Sequence, residues 1–267
     1  MSAGSIERLL RHLSRLNKQA AAADIKHTGA RLRRPRQAHW RCCADSCPRA
    51  RAVRLNEAHA LGPKSGFIDV GSGSGKARAR AQHRARRGPP TAAARGLIRA
   101  RPIAQVSMHA ALFGEGVAFA DGVEYVAGRA SAASEVLAEV AAALGGDVWR
   151  CGAAGAALSA LAAAAPPDAA QRLSRCTLRH GDATADAGVL RASHVYMYDK
   201  VFSDATSAAL AKRLSKARNA CAARVLVSYR RPESWRKLGL AKAWQLVGRC
   251  TMNTTGDQNF TAYIMAR

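Results

Sequence analysis

Three polar segments of this chain have residue types that suit a nucleoside ligand. The first is a glycine turn, Gly71-Ser72-Gly73-Ser74-Gly75, which follows Asp69 and would let the backbone approach a ligand closely. Glu124 could accept hydrogen bonds from both hydroxyls of a ribose, and Asp182, in His180-Gly181-Asp182, could accept one from the exocyclic amine of an adenine. Together these segments predict a nucleoside site.

The glycine turn does not match the two common phosphate-binding loops. A P-loop has four residues between its glycines, whereas Gly71 and Gly75 are separated by three, and Ala77 lacks the hydroxyl that binds magnesium. The dinucleotide fingerprint Gly-x-Gly-x-x-Gly is also missed, because the third glycine comes one place early. Asp69 followed by Gly-x-Gly-x-Gly is instead similar to the S-adenosylmethionine loop of class I methyltransferases.

The distance between the glycine turn and Glu124 is unusual. Glu124 lies 49 residues beyond Gly75, whereas the acid that binds a ribose is expected about 20 residues beyond such a turn. Residues 77–106 lie between them, with eight arginines, no acid and a composition that cannot build a core. Subtracting these 30 residues leaves a spacing of 19. We therefore expect 77–106 to be an arginine-rich insertion, either an extruded loop or translated non-coding sequence.

Strands that alternate with helices would position these residues. Helices are predicted at 129–144 and 204–218, and the last two strand candidates have no helix between them. This order predicts an α/β fold with a seven-stranded, mostly parallel, doubly wound sheet that ends in an antiparallel C-terminal hairpin. The strand candidates are residues 67–70, 122–126, 176–179, 195–198, 224–229, 244–250 and 260–265.

The positive charge of the chain is concentrated near its N-terminus. The net charge is +24 over 267 residues, and residues 1–107 hold 23 Lys+Arg against 5 acids, a net of +18. We expect residues 1–61 to form a basic arm, partly helical or disordered, before a domain at 62–267. Such an arm would suit DNA or RNA, although a solvated arm without a partner is the alternative.

Other features bear on location and on metals. The cluster 31–36 is typical of nuclear import, whereas the amphipathic pattern of 1–20 with few acids would suit an organelle. The apolar stretch 151–165 is too short to cross a membrane. His39, Cys42, Cys43 and Cys47 lie close together, but no second pair at zinc-finger spacing follows, so no metal site is predicted.

Several of these motifs together resemble a known family, over about 62–76 and 108–267. The chain is similar to the histone lysine methyltransferases of the disruptor-of-telomeric-silencing family, particularly divergent protist-like members. The resemblance implies a class I methyltransferase fold, S-adenosylmethionine as cofactor, and methyl transfer to a histone lysine in chromatin, in the nucleus. The segments that carry it are 69–76, 122–125, 180–182, 195–199 with Phe202, and 226–229.

The resemblance also implies roles for particular residues. Cofactor binding is assigned to the glycine turn and to the acids Asp69, Glu124 and Asp182. A lysine with an ordinary pKa of about 10.4 must lose its proton before it can accept a methyl group, and a narrow aromatic channel assists this by desolvation. Candidate catalytic residues are Tyr198, Phe202 and Tyr229 as channel walls, and Asp199 as a ligand for the amine or for the amino-acid part of the cofactor.

Two departures from the family pattern leave the substrate open. Family members commonly carry an asparagine pair where this chain has Tyr198 and Asp199. No counterpart of the family's N-terminal substrate loop is found in residues 1–60. The alternatives are an RNA or small-molecule methyltransferase with the same cofactor site, and a non-catalytic chromatin-binding module. Strand-end aromatic residues could also simply fill the core.

Overall fold

The computed structural model describes a single sheet with helices on both of its faces. Outside the described residues lie residues 1–58 of the predicted arm, the predicted turn residues Ser72, Gly73 and Gly75, nearly all of the predicted insertion, most of 151–165 and the cysteines near His39. The described residues are 59–71, 106–108, 110–112, 116–145, 165–253 and 259–267.

The sheet has seven strands in the order β3-β2-β1-β4-β5-β7-β6. Strands β1 to β5 pair in parallel, and β7 pairs antiparallel with both β5 and β6. The predicted fold class is therefore confirmed, including the antiparallel C-terminal pair. The strands are β1 (Gly66–Val70), β2 (Phe119–Glu124), β3 (Cys176–His180), β4 (His194–Met197), β5 (Val225–Ser228), β6 (Gln245–Asn253) and β7 (Asn259–Ala266).

Five helices between the strands have both of their ends among the described residues, and local sequence explains where several of them begin. Ser203 caps one helix by accepting a hydrogen bond from the backbone N–H of Thr206, and Asp186 caps another through the N–H of Gly188. A further helix begins with Pro232, which is preorganised for the first helical turn. The helices are α1 (Ala127–Leu144), α2 (Ala169–Leu173), α3 (Ala187–Arg191), α4 (Asp204–Leu214) and α5 (Pro232–Lys237).

The two faces of the sheet carry separate apolar cores. Because strand side chains alternate, Phe67 and Asp69 of β1 point to one face, here called the front face, and Ile68 and Val70 point to the back face. Helices α1 and α2 pack on the front face, and α3, α4 and α5 pack on the back face. The doubly wound arrangement follows from these two cores.

The edges of two predicted segments differ from the structure. Val106 is helical and fully buried in the front-face core, so the fold resumes before the predicted insertion ends. His59 is also buried, and its ring Nε2 lies 3.0 Å from the carbonyl oxygen of Arg267. The folded domain therefore already includes His59, ahead of the predicted boundary at 62.

Helix α4 is shorter than the predicted helix 204–218. It ends at Leu214, and the guanidinium of Arg267 donates hydrogen bonds of 2.8 Å to the carbonyl oxygens of Leu214 and Lys216. It donates two more, of 2.7 Å each, to the carbonyls of Cys221 and Ala223. The C-terminal residue thus holds the chain after α4 in a non-helical path.

Among the described residues, no helix combines the length and the apolar character that crossing a membrane requires.

Candidate functional site

The strand order creates a crevice at one edge of the sheet. Strand β1 lies between β2 and β4, so the chain builds outward in opposite directions from this point, and ligands of such sheets bind beyond the carboxyl ends of the strands there. The N–H of Gly71 donates to the carbonyl of Val123 (2.8 Å), and the N–H of Gly181 donates to that of Glu124 (2.9 Å). These bonds hold the ends of β1, β2 and β3 together as a rim.

Gly71 and Glu124 meet at this rim. A Cβ atom on Gly71 would lie 2.6 Å from the carbonyl oxygen of Val123 and 3.0 Å from Oε2 of Glu124. A distance of 2.6 Å to backbone is shorter than real Cβ contacts, so only glycine fits here. The structure therefore brings together the start of the predicted glycine turn and the predicted ribose acid.

Glu124 is buried with one oxygen in use and one available. Its Oε1 accepts a hydrogen bond from the N–H of Val126 at 2.8 Å and lies 3.9 Å from Nη1 of Arg129. Its Oε2 is buried and has no hydrogen-bond partner among the described residues. Burial raises the pKa of this carboxyl, and the Val126 N–H and Arg129 oppose that shift. An available acceptor next to a glycine turn is what a ribose hydroxyl needs.

Asp69 presents a second buried carboxylate close to the first. Its side chain is completely buried, and neither carboxylate oxygen has a hydrogen-bond partner within the described part of the chain. Burial raises its pKa well above the ordinary value, and the nearby charge of Glu124 raises it further. Buried polar atoms normally have partners. Asp69 could therefore accept hydrogen bonds from a ligand with N–H or O–H groups.

Asp182 lies at the same rim but is exposed. Its Oδ1 accepts hydrogen bonds from the backbone N–H and the hydroxyl of Thr184, each at 2.8 Å, which makes a local turn. The preceding His180 has its Nε2 3.0 Å from the carbonyl oxygen of Tyr125. The proposed contact of Asp182 with an adenine amine stays a prediction, with the carboxylate already partly engaged.

An aromatic cluster stands beside these acids on the front face. The ring centroid of Tyr229 lies 4.9 Å from that of Tyr198, 6.2 Å from that of Tyr196 and 6.4 Å from that of Phe260, all edge to face. The hydroxyls of Tyr196 and Tyr229 are 3.0 Å apart. Burial raises the pKa of both phenols, which keeps them neutral. We call Tyr196, Tyr198, Tyr229 and Phe260 the aromatic cluster.

Phe260 is a member that sequence reasoning missed. It is the second residue of β7, which runs antiparallel to β5, so the start of β7 reaches the edge where β4 and β5 end. The ring of Phe260 lies 6.1 Å from that of Tyr198, and the ammonium of Lys200 lies 5.3 Å from the Phe260 ring centroid. The predicted C-terminal hairpin was the signal that could have found it.

Phe202 does not join the aromatic cluster, contrary to the prediction. A short 3-10 turn, Asp199–Val201, follows Tyr198 and directs the chain to the back face, where Phe202 packs against that core. Its place as a third aromatic wall is taken by Phe260. The three rings that meet are therefore those of Tyr198, Tyr229 and Phe260, and a channel between them stays a prediction.

Asp199 accepts hydrogen bonds from the protein on both of its carboxylate oxygens. It is completely buried, its Oδ2 accepts a 2.5 Å hydrogen bond from Ser228 Oγ, and its Oδ1 accepts a 2.8 Å bond from the N–H of Tyr229. The indole N–H of Trp235 donates to Ser228 Oγ at 2.6 Å. Asp199 thereby fixes the backbone of Tyr229, and its predicted contact with an amine or with the amino-acid part of the cofactor stays a prediction.

The part of the chain that the structure describes contains no group of three potential metal ligands.

Comparisons with known proteins add only a fold-level likeness. No protein-family model matches the chain, and no curated protein matches it. Among solved structures, the B. subtilis M1A22 tRNA methyltransferase TrmK is similar at 12% identity with a TM-score of 0.40 over 78% of this chain and 62% of that one.

Two streptococcal structures are similar to the same degree. A protein of the NADB-Rossmann superfamily from Streptococcus agalactiae has 12% identity and a TM-score of 0.36, over 79% of this chain and 65% of its own. Sp1610 from Streptococcus pneumoniae, a provisionally assigned tRNA (m1A22) methyltransferase, has 11% identity and a TM-score of 0.35, over 78% and 66%. This chain thus spans about two thirds or less of the length of these structures.

Proposed function

We propose that this chain is an S-adenosylmethionine-dependent methyltransferase. The observation that carries the proposal is the contact between Gly71 and Glu124, which places a glycine that tolerates no side chain against a buried carboxylate oxygen that has no partner among the described residues. A nucleoside whose ribose hydroxyls donate to Glu124 would satisfy that oxygen. The seven-stranded sheet, with its switch between β1 and β4, supports this position for the ligand.

Three acids would divide the cofactor between them. Glu124 would hold the ribose hydroxyls, and Asp69 would accept from the ammonium of the methionine part, which would supply donors for its two buried oxygens. Asp182 is the proposed acceptor for the adenine amine. The predicted glycine-turn residues Ser72, Gly73 and Gly75 would contribute backbone contacts. S-adenosylmethionine, when bound, supplies a methyl group on a sulfonium.

The aromatic cluster would prepare the acceptor nitrogen. Transfer requires a nitrogen lone pair that forms the new N–C bond as the S–C bond breaks, so an amine acceptor must first release its proton to solvent. We expect the rings of Tyr198, Tyr229 and Phe260, which contact one another edge to face, to exclude water from the acceptor nitrogen and thereby to disfavour its charged form. Holding the nitrogen in line behind the methyl group supplies much of the rate.

Two acceptors fit an aromatic-lined space of this kind. A histone lysine is the acceptor that the family resemblance implies, with a nucleosome as partner and the nucleus as location. A nitrogen of an RNA base is the second, because the partly exposed ring of Tyr198 offers a flat surface for stacking. The place of Phe202 outside the aromatic cluster and the protein contacts of Asp199 weaken the first acceptor more than the second.

Methyl transfer from labelled cofactor tests the proposal directly. The full-length protein is incubated with labelled S-adenosylmethionine and, separately, with nucleosomes, free histones and total RNA. Label in any one macromolecule supports the enzyme and identifies the acceptor class. No label in any of them, together with no binding of S-adenosylhomocysteine, would overturn the proposal in favour of a non-catalytic module.

A further inference from the structure

The positive charge of the described domain is confined to one stretch of sequence. Residues 212–249 hold eleven Lys+Arg and one acid, a net of +10. All other described residues together hold eight Lys+Arg and ten acids, a net of −2. This concentration is separate from the basic arm, which lies outside the described residues. A local excess of this size creates a strongly positive surface field.

Apart from Arg249, which lies over an aromatic ring, seven of these basic side chains are exposed and make no ion pair with an acid of the described residues. By contrast, Arg230 is half-buried and pairs with Asp204 at 2.7 Å, and Arg213 donates to the carbonyl of Asp186. We call the seven exposed residues the basic stripe. They are Lys212, Lys216, Arg218, Arg231, Arg236, Lys237 and Lys242.

Hydrogen bonds through Ser215 place the two halves of the basic stripe side by side. Ser215 Oγ accepts from the N–H of Ala241 at 2.8 Å and donates to the carbonyl of Gly239 at 3.3 Å. The end of α4 is thereby fixed against the turn after α5. The basic residues before and after Ser215 consequently lie next to those that flank Gly239 and Ala241.

The basic stripe extends from the site rim to the opposite edge of the sheet. Arg231 lies two residues after Tyr229, at the start of α5, and Lys242 lies just before β6, which starts at the other edge. Strand β5 has four residues, so this path is on the order of 15 Å long at about 3.3 Å per residue with its flanking turns. That length spans roughly four phosphates of a stacked strand.

We infer that the basic stripe binds the sugar-phosphate backbone of a single-stranded RNA segment and delivers one of its bases to the aromatic cluster. This inference rests on the proposed function and specifies its substrate class. A lysine-rich histone tail would be repelled by a surface of the same sign. An unpaired base can leave its neighbours and stack on an exposed ring, whereas a base within a duplex cannot reach one.

Fluorescence anisotropy with the full-length protein tests the inference. The probe is an unstructured single-stranded RNA of about 20 nucleotides, titrated at several salt concentrations, with single-stranded DNA, duplex DNA and a histone-tail peptide as further arms. The variant R236Q/K237Q/K242Q should bind the RNA at least tenfold more weakly. Its plot of log affinity against log salt should be shallower by about 2, at about 0.7 per lost phosphate contact.

A matched variant separates this site from a general effect of charge. K64Q/R175Q/R191Q removes three exposed basic residues elsewhere on the described surface, so its net charge changes by the same amount. It should bind within twofold of the wild type. Equal losses in the two variants, or tighter binding of duplex DNA than of RNA, would overturn the inference.

Photocrosslinking distinguishes RNA bound at the basic stripe from RNA bound at the basic arm. RNA that carries 4-thiouridine should crosslink to peptides within 212–218 and 231–242. Crosslinks confined to residues 1–58 would contradict the inference.

Titration of the same variants with S-adenosylhomocysteine distinguishes a failure of the basic stripe from a failure of the proposed methyltransferase function. Normal binding of that compound together with unchanged RNA binding in R236Q/K237Q/K242Q would refute only the basic stripe. No binding of the compound by any protein would refute the proposed function, while a selective loss of RNA binding would still support the stripe.

Discussion

The rim of the sheet has two halves that differ in whether their buried carboxylates have hydrogen-bond partners. At the ends of β1 and β2, Asp69 and Glu124 are buried with three oxygens that have no partner among the described residues. At the ends of β4 and β5, Asp199 is equally buried, yet the Ser228 hydroxyl and the Tyr229 N–H occupy its two oxygens. An unpartnered buried polar group costs about 1–3 kcal/mol.

This difference predicts separate roles for the two halves: ligand binding for the β1–β2 half and structural support for the β4–β5 half. Under the proposed function a ligand completes the acceptors of the β1–β2 half, so its acids should affect ligand affinity more than stability. The β4–β5 half is complete without a ligand, so its acid should affect stability more than affinity. Three substitutions test this contrast, and they are ordered by the size of the expected effect.

Replacing Gly71 by alanine should have the largest effect. The new Cβ would press on the backbone oxygen of Val123 and on Glu124 Oε2, so β1 and β2 must shift apart. We expect the free energy of unfolding to fall by about 3 kcal/mol and binding of S-adenosylhomocysteine to be lost, as measured by urea unfolding and by calorimetric titration.

Gly128→Ala is the matched control for that substitution. A Cβ on Gly128 would meet nothing within 4 Å, and the residue lies in the first turn of α1. Alanine is favoured over glycine in a helix by up to about 1 kcal/mol, so this variant should keep its affinity and be slightly more stable. Equal behaviour of the two variants would show that the contact between Gly71 and Glu124 has no special role.

Asp199→Asn should reduce stability while it spares ligand binding. The amide offers an N–H where the Ser228 hydroxyl now donates, so one hydrogen bond is lost and a buried donor loses its acceptor. We expect a loss of about 2 kcal/mol in urea unfolding, with the affinity for S-adenosylhomocysteine within twofold of the wild type. An unchanged stability with a lost affinity would return Asp199 to a direct role in the site.

Asp69→Asn should have the smallest effect, and in the opposite direction. Below the pKa of the unfolded state, about 3.9, the carboxyl is protonated in both states. As the pH rises further, the unfolded state loses the proton while the folded state, with its raised pKa, keeps it, so the free energy of unfolding falls until the folded pKa is reached. The amide cannot ionise and abolishes this fall.

The cofactor-free Asp69→Asn protein should therefore be about 1 kcal/mol more stable than the wild type at neutral pH, as measured by urea unfolding from pH 5 to pH 8. Asp168→Asn is the control, because Asp168 is exposed and its hydrogen bond with Arg172 lowers its pKa. In Asp168→Asn, the free energy of unfolding should still fall as the pH rises, as it does in the wild type. If the free energy of unfolding depended on pH in the same way in Asp69→Asn and in the wild type, Asp69 would be ionised in the folded wild-type protein.

The fold and the β1–β2 half of the rim were predictable because the sequence patterns that indicate them are local. Each strand was found within a few residues of its observed position, and Gly71 and Glu124 each follow or end a strand at the same edge of a parallel sheet. The end of α4 was wrong by four residues because the determining bonds come from Arg267, at the far end of the sequence.

The β4–β5 half of the rim was less predictable because its contacts join segments that are distant in the sequence. Asp199 finds Ser228 and Tyr229 about 30 residues later, which no local pattern in the sequence indicates. Phe202 and Phe260 exchange roles because a 3-10 turn directs one away and an antiparallel strand brings the other in. Sequence showed that aromatic residues follow the strands but not which of them meet.

The central claim is that Glu124 Oε2 accepts a hydrogen bond from a cofactor ribose. Calorimetric titration of the wild type and Glu124→Gln, each with S-adenosylhomocysteine and with its analogue lacking both ribose hydroxyls, tests this most directly. We predict about a tenfold weaker affinity of the variant for the natural compound, about 1.4 kcal/mol, and equal affinities of both proteins for the deoxy analogue. An equal loss for both ligands, or no binding of either by the wild type, would contradict the account.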